Sequence, residues 1–243
     1  MKTSHIMQAY LGDYPNSRAD SDKKFIRAVN SFINQTDKDS ELIIVSDGCE
    51  IVHKMYYDLF KDNGRIKYVY VDKDTPNMYE GDQKYYRGFP RQVGRSLATG
   101  EVTTYMDSDD YLLPTAVESI KKVWNYFQNH DIVCIYNLGW IDNYITLERS
   151  DLFNNSNECI GEPFKIEGLD SKWIKRRMTH PTLILSSSWS MIHRSDFEGK
   201  WEDTIGDPPE DTIFSAKLQK TKKVAVINEP YYVRCHLTQL WDY

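Results

Sequence analysis

Residues 42–45 read Leu-Ile-Ile-Val without a polar break. A continuous apolar run of this kind predicts a strand buried on both faces, as in a parallel sheet. It starts at Glu41 and stops at Ser46, before Asp47-Gly48. Residues 4–10, 66–71 and 102–106 carry comparable apolar and β-branched runs and predict three more strands. Between them the spacing changes from continuous to helical. Phe25, Val29, Phe32 and Ile33 mark one helix face, with Asp20 or Ser21 as its cap. Ile51, Val52, Met55, Tyr56, Leu59 and Phe60 mark a second. Residues 89–99 predict a third helix, stopped by Gly100. The order β-α-β-α-β-loop-α-β is that of a doubly wound α/β sheet. Its ligand loops fall at the carboxyl ends of strands. They are residues 10–18, which open on Tyr10, then Asp47, Asp72 onward and residues 107–110. Residues 72–87 predict a long polar loop, a length that in a compact domain signals function or disorder.

The fourth strand ends in three carboxylates, Asp107, Asp109 and Asp110. Pro114 then predicts the opening of a helix carrying Val117, Ile120, Val123, Trp124 and Phe127. Alternation along an extended chain sends Asp107 and Asp109 to one side. Two carboxylates so close repel unless a proton or a cation intervenes. All-oxygen ligands suit Mn²⁺ or Mg²⁺, ions that also take substrate phosphates. A solvated acidic turn capping the next helix is the competing reading.

Composition narrows the field. The chain has 243 residues, 40% hydrophobic and 27% charged, ordinary for a globular protein. Its net charge of −6 does not favour nucleic acid through bulk electrostatics. Cys49, Cys134, Cys159 and Cys235 are widely spread and form no CxxC pair, which argues against zinc and for a reduced compartment. No apolar run approaches the roughly 18 residues needed to span a bilayer, and residues 1–8 lack the apolar core of a signal peptide. A cytoplasmic protein is expected, with peripheral contact to a membrane surface left open. No GxGxxG follows the first strand and no GxxxxGK[ST] is present, which disfavours a dinucleotide site and a P-loop.

Five segments in order resemble a known family. Leu42-Ile43-Ile44-Val45-Ser46-Asp47-Gly48 is similar to a strand ending in Asp-Asp-Gly-Ser, with Ser46 in place of the first Asp. Arg91-Gln92-Val93-Gly94 with Leu97-Ala98-Thr99-Gly100-Glu101 is similar to Arg-Asn-x-Gly…Ala-Thr-Gly-Glu, with Gln92 in place of Asn. Met106-Asp107-Ser108-Asp109-Asp110 matches a DxD segment. Glu210-Asp211 matches a Glu-Asp pair, and residues 229–236 match a closing Glu-Pro…Arg-x-His strand. Together, over about residues 4–236, they resemble family 2 glycosyltransferases of the GT-A fold. The resemblance implies one GT-A domain over residues 1–243. About residues 1–110 would bind the nucleotide sugar and about 111–243 the acceptor.

It further implies an inverting transfer from a nucleotide sugar, UDP-linked by preference, to a hydroxyl of a glycan, a lipid-linked or another acceptor. Asp109 would hold Mn²⁺ or Mg²⁺ with His236, and Asp107 would meet the ribose directly or through the metal. Tyr10 and Asp47 belong to the donor site, where a carboxylate accepts from the N3–H of uracil. Arg91 would meet the base or the diphosphate, or remain a solvated helix residue. Asp211 would be the general base. Asp207-Pro208-Pro209-Glu210 is also a helix-capping pattern, which assigns Glu210 a local role. A helix N-terminus favours ionised Asp211 but weakens it as a base, so desolvation must counter it.

Trp189 and Trp201 flank the expected acceptor cleft, where a ring stacks on a sugar face; core packing is the commoner fate of Trp. Residues 172–177, the one basic cluster, predict a solvated helix face or an anion contact. A sugar-nucleotide-binding module without transfer and a nucleotidyltransferase on a similar core are the alternatives. The second would need a basic phosphate loop after the first strand, and residues 11–17 hold no Lys or Arg.

Overall fold

The computed structural model describes residues 1–12, 20–73, 79–80, 83–128, 132–137, 140–142, 145–147, 164–165, 172–176, 191–206, 208–221, 224–227, 229 and 231–235. The first half alternates as its apolar pattern predicts. It runs β1 (Thr3–Ala9), α1 (Ser21–Ile33), β2 (Ser40–Asp47), α2 (Glu50–Leu59) and β3 (Ile66–Val71). The two short strands β4 (Tyr79–Glu80) and β5 (Gln83–Tyr86) follow, then α3 (Phe89–Ser96) and β6 (Val102–Tyr105). The stretch read as one polar loop, residues 72–87, thus contains an antiparallel β4–β5 hairpin. Alternation is hard to see there because both strands are very short.

The second half adds β7 (Tyr111–Leu112), α4 (Ala116–Phe127), β8 (Cys134–Asn137), β9 (Trp140–Asp142) and β10 (Ile145–Leu147). It continues with β11 (Phe164–Lys165), β12 (Lys172–Arg176), β13 (Met191–Arg194) and β14 (Thr204–Ile205). It closes with α5 (Glu210–Thr221), β15 (Val224–Ile227) and β16 (Tyr232–Arg234). Pro114 precedes α4 rather than opening it; Thr115 is at the cap. Asp20 is at the cap of α1, but in the left-handed region and without a side-chain cap bond. The basic cluster is a strand, not a helix face: β12 pairs antiparallel with β15. Its tertiary partner overrides local propensity.

Among the described residues the main sheet has nine strands in the order β11-β12-β15-β8-β13-β6-β1-β2-β3. Strands β6, β1, β2 and β3 are mutually parallel. β13 is antiparallel to both β6 and β8 and joins the two halves into one sheet. Two small sheets, β10-β9-β16-β7 and β14-β5-β4, complete the architecture. The chain runs from β1 outward to β3, then returns to place β6 on the other side of β1. That reversal is the switch point where open α/β sheets bind ligands.

All eight residues of β2 are buried, which is why its apolar run is unbroken. Helix α3 lies so close to the sheet that a Cβ on Gly94 would come 2.5 Å from Ile6 Cγ2 and 3.0 Å from Val45 Cγ2. Only glycine allows that approach. Gly48, at φ +61°, makes the turn directly after Asp47. Cys49, Cys134 and Cys235 are buried free thiols. Among the described residues no helix is long and apolar enough to cross a membrane.

One buried carboxylate ties the amino-terminal ends of β1, β2 and β3 to the turn before β6. Glu41 accepts from Ser4 Oγ at 2.6 Å, Thr99 N at 2.6 Å, Lys2 Nζ at 2.8 Å and Lys67 Nζ at 3.0 Å. Burial pushes its carboxyl up, but these donors outweigh it and hold it down at about 2. A depressed folded-state value stabilises the protein fully above the ordinary 4.5 and is lost as pH falls through about 2. Glu41→Gln is therefore expected to cost about 2 kcal/mol at neutral pH. Urea unfolding should show the gap from wild type closing as pH falls through that window.

Candidate active site

The acid segment begins where β6 ends. Met106 N still pairs with Ile6 O at 3.0 Å, and the chain then turns, with Asp110 N donating to Asp107 O at 3.3 Å. Asp110 is buried and fully engaged. Its Oδ1 accepts from Cys235 N at 2.7 Å and its Oδ2 from Tyr232 Oη at 3.0 Å. Tyr232 Oη in turn accepts from Asp107 N at 3.0 Å. Asp110 therefore braces the turn against β16. Arg27 adds a second tie, donating to Asp109 O at 2.9 Å.

Asp107 and Asp109 are half-buried, and carboxylate oxygens of all three acids lie within 4.8 Å of one another. Burial, then the Asp109 and Asp107 charges, push the Asp110 carboxyl well above its ordinary range. A site of hard oxygen donors whose charges repel is the chemistry that a divalent cation fits. Asp107 and Asp109, the half-buried members of the cluster, are the carboxylates that could hold one.

Across from this turn stands the start of α5. Glu210 is buried, and its Oε1 accepts from Arg91 Nη1. The Arg91 guanidinium also lies over the Trp201 ring, 5.3 Å from its centroid. Burial pulls Arg91 down, yet the Glu210, Asp107 and Asp211 charges more than offset it and hold it above its ordinary value. Arg91 is thus neither a solvated helix residue nor an isolated cation. Asp211, half-buried, is pushed up to about 6 by burial and then by Glu210, partly opposed by Arg91. Desolvation and the Glu210 charge therefore outweigh Arg91 and the backbone N–H of Thr212. Asp207, the other half of the capping pattern, lies outside the described residues; Ile213 N to Pro209 O at 3.1 Å starts the helix.

Trp201 does not offer a face to an acceptor. It is buried and stacks on Phe214, centroids 4.2 Å apart and planes 5° from parallel. Its Nε1 donates to Tyr105 Oη at 2.8 Å, and Tyr105 Oη lies 2.8 Å from His193 Nε2. His193 Nδ1 donates to Arg194 O at 2.7 Å, so Nε2 is the acceptor of the neutral ring. Burial pulls this histidine down to about 3. Satisfying the indole N–H inside the core is the physical reason Trp201 packs inward. Trp189 and His236 lie outside the described residues.

The third group gathers at the carboxyl ends of β1 and β2. Asp47 is buried; its Oδ1 accepts from Arg87 Nη1 at 2.5 Å and its Oδ2 from Gln8 Nε2 at 3.0 Å. Burial pushes its carboxyl up, and Arg87, Gln8 and Lys73 offset that only in part. Lys73 Nζ lies over the Tyr10 ring, 4.1 Å from its centroid. The expected donor residues Tyr10 and Asp47 thus share a neighbourhood, with Gln8, Lys73 and Arg87 as members that sequence reasoning missed. Gln8 had left a signal, as a polar side chain following Ile6-Met7 near the end of a buried strand. Arg87 and Lys73 had none, since a basic residue in a polar stretch is ordinary.

No protein-family model matches the chain. An uncharacterised glycosyltransferase of Nostoc sp. is 31% identical over 121 residues, 48% of this chain and 33% of the relative. One from Methanocaldococcus jannaschii is 25% identical over 169 residues, 68% of this chain and 52% of the relative. The chain therefore spans between a third and about half of the length of these curated relatives. Residues 1–349 of S. aureus TarS in complex with UDP-GlcNAc align with a TM-score of 0.66 and 17% identity, over 98% of this chain and 59% of that one. The same TarS fragment with UDP gives 0.58 and 19%, over 97% and 60%. The chain has the GT-A glycosyltransferase fold, and it resembles proteins named as glycosyltransferases in sequence as well.

Proposed function

We propose that the protein is an inverting, divalent-metal-dependent glycosyltransferase of family 2. It would move a sugar from a UDP-linked donor to a hydroxyl of a glycan, a lipid-linked or another acceptor. One observation carries this reading. On a GT-A fold, the acid turn at the end of β6 is coupled electrostatically to Asp211, a half-buried carboxyl held near 6. The TarS structures with UDP-GlcNAc and UDP support a UDP-sugar as donor.

Asp109 and Asp107, with His236 from the closing segment, are the residues to hold Mn²⁺ or Mg²⁺. Such an ion supplies charge neutralisation for the departing diphosphate. Tyr10 and Asp47 stand at the nucleoside end of the donor site. Asp211 takes the proton from the acceptor hydroxyl. The acceptor oxygen then attacks the anomeric carbon in line with the bond to the diphosphate, which inverts the configuration. A carboxyl near 6 is ionised at neutral pH and basic enough to accept that proton. Arg91 stays beside it and neutralises Glu210, so that two adjacent carboxylates coexist in a desolvated site.

Asp109→Ala should remove the Mn²⁺-dependent part of UDP affinity. Calorimetric titrations of both proteins, with and without the ion, measure it; identical curves in all four would sink the metal assignment. Asp47→Ala should weaken uridine, UDP and UDP-sugar alike, on the order of 1.5–3 kcal/mol. An unchanged affinity for uridine would remove Asp47 from the base end.

Asp211→Asn should lower transfer at saturating substrates by about 10²–10⁴-fold while UDP binding and folding hold. The wild-type rate should fall as pH drops through about 6, because the protonated acid cannot act as base. Glu210→Gln removes a charge that raises Asp211, so its rate profile should shift to lower pH with a smaller loss of turnover. A dead Glu210→Gln beside an active Asp211→Asn would reverse the two roles.

A further inference from the structure

Residues 194–206 form a strap that leads from the end of β13 along α3 to β14, and Trp201 is its one buried residue. The strap is tied to α3. Arg95 Nη1 donates to Gly199 O, Phe89 N donates to Asp203 Oδ1 at 2.9 Å, and Trp201 N donates to Gln92 Oε1 at 3.1 Å. A Cβ on Gly88 would come 2.4 Å from Glu202 O, so backbone meets backbone there. Residues 88, 92 and 95 share one face of the helix. Gln92, which stands where the resembled family carries Asn, thus holds the strap directly beside Arg91.

Trp201 meets three parts of the site at once. Its Nε1 donates to Tyr105 Oη at 2.8 Å, two residues before Asp107. Its ring stacks on Phe214 of α5, about one turn after Glu210 and Asp211, with centroids 4.2 Å apart. The Arg91 guanidinium lies over the same ring, 5.3 Å from its centroid. The bond from Arg91 Nη1 to Glu210 Oε1 fixes one corner of the guanidinium. An aromatic face beneath it fixes where the rest lies. Phe in place of Trp201 would keep a ring and lose the N–H; Leu would lose both.

We propose that Trp201 is a positioning residue for the transfer reaction, holding Arg91 between Glu210, Asp211 and the acid turn and acting through that cation. The inference rests on the reading of Asp211 as the base and deepens it. Among the described residues, the charged groups that act on Asp211 are Glu210 on the same helix, Arg91 from α3 and Asp107 from the acid turn. Burial, then the two carboxylates, push the Asp211 carboxyl up, and Arg91 is the cation that opposes them. A guanidinium no longer held over Trp201 spends less time beside Asp211, so Asp211 keeps its proton to higher pH.

Carboxyl NMR of the full chain labelled with ¹³C-aspartate reads this without donor or metal, the Asp211 signal being the one missing from Asp211→Asn. Wild type should titrate near 6. Trp201→Leu should raise that midpoint by about one pH unit, and Trp201→Phe should raise it much less, because a ring face remains. An unchanged or lowered midpoint in Trp201→Leu, or an equal rise in Trp201→Phe, overturns the assignment and leaves Asp211 standing as the base. Turnover of UDP-GlcNAc by Asp211→Asn at the wild-type rate overturns both. If melting curves show that Trp201→Leu does not fold, Gln92→Met decides. It removes the acceptor of Trp201 N from a half-buried helix position. A raised Asp211 midpoint in that variant supports the assignment, and an unchanged one overturns it.

Discussion

Carboxylates crowded at the carboxyl ends of neighbouring strands repel one another, and this protein holds them in place by giving several of them internal donors. Asp110 takes the hydroxyl of Tyr232 and the backbone N–H of Cys235. Asp47 takes Arg87 and Gln8, and Glu210 takes Arg91. Each of these bonds joins segments distant in sequence. The same contacts that manage the charge therefore also fix the geometry of the cleft. The Asp110 contact is the most far-reaching of these, since it pins the turn after β6 to β16.

Managing repulsion this way divides the acids by role. Asp110, with both oxygens committed to Tyr232 and Cys235, is a structural anchor. The half-buried ones, Asp107, Asp109 and Asp211, are those to which the proposed function assigns the cation and the proton. Asp211 illustrates the balance. Burial and Glu210 raise its proton affinity, Arg91 lowers it, and the outcome near 6 lies within reach of neutral pH. Removing Arg91 from that set would leave two adjacent carboxyls without a cation in a desolvated site, which costs far more than an exposed pair would. The buried Trp201 ring, stacked on Phe214, in turn supports this cation through its face.

The alternation of β1, α1, β2, α2, β3, α3 and β6, and the acid turn at the switch point, were legible in the chain because burial on both sheet faces writes unbroken apolar runs. The central placement of β13 was not legible, because sheet order depends on pairings between segments far apart in sequence. The basic residues 172–176 misled for the same reason: charge suggests solvent, while their strand state is set by β15 alongside.

By itself, then, the sequence determined the fold class and the clustering of acids after the fourth strand, since periodicity and residue chemistry are local properties. Only the tertiary structure decided what those carboxylates are paired with. Gln8 and Arg87 on Asp47, Arg91 on Glu210, and Tyr232 on Asp110 are contacts across 39, 40, 119 and 122 positions of chain. A side chain's proton affinity and free valences depend on the groups and solvent around it, and those are assembled only when the sheet closes.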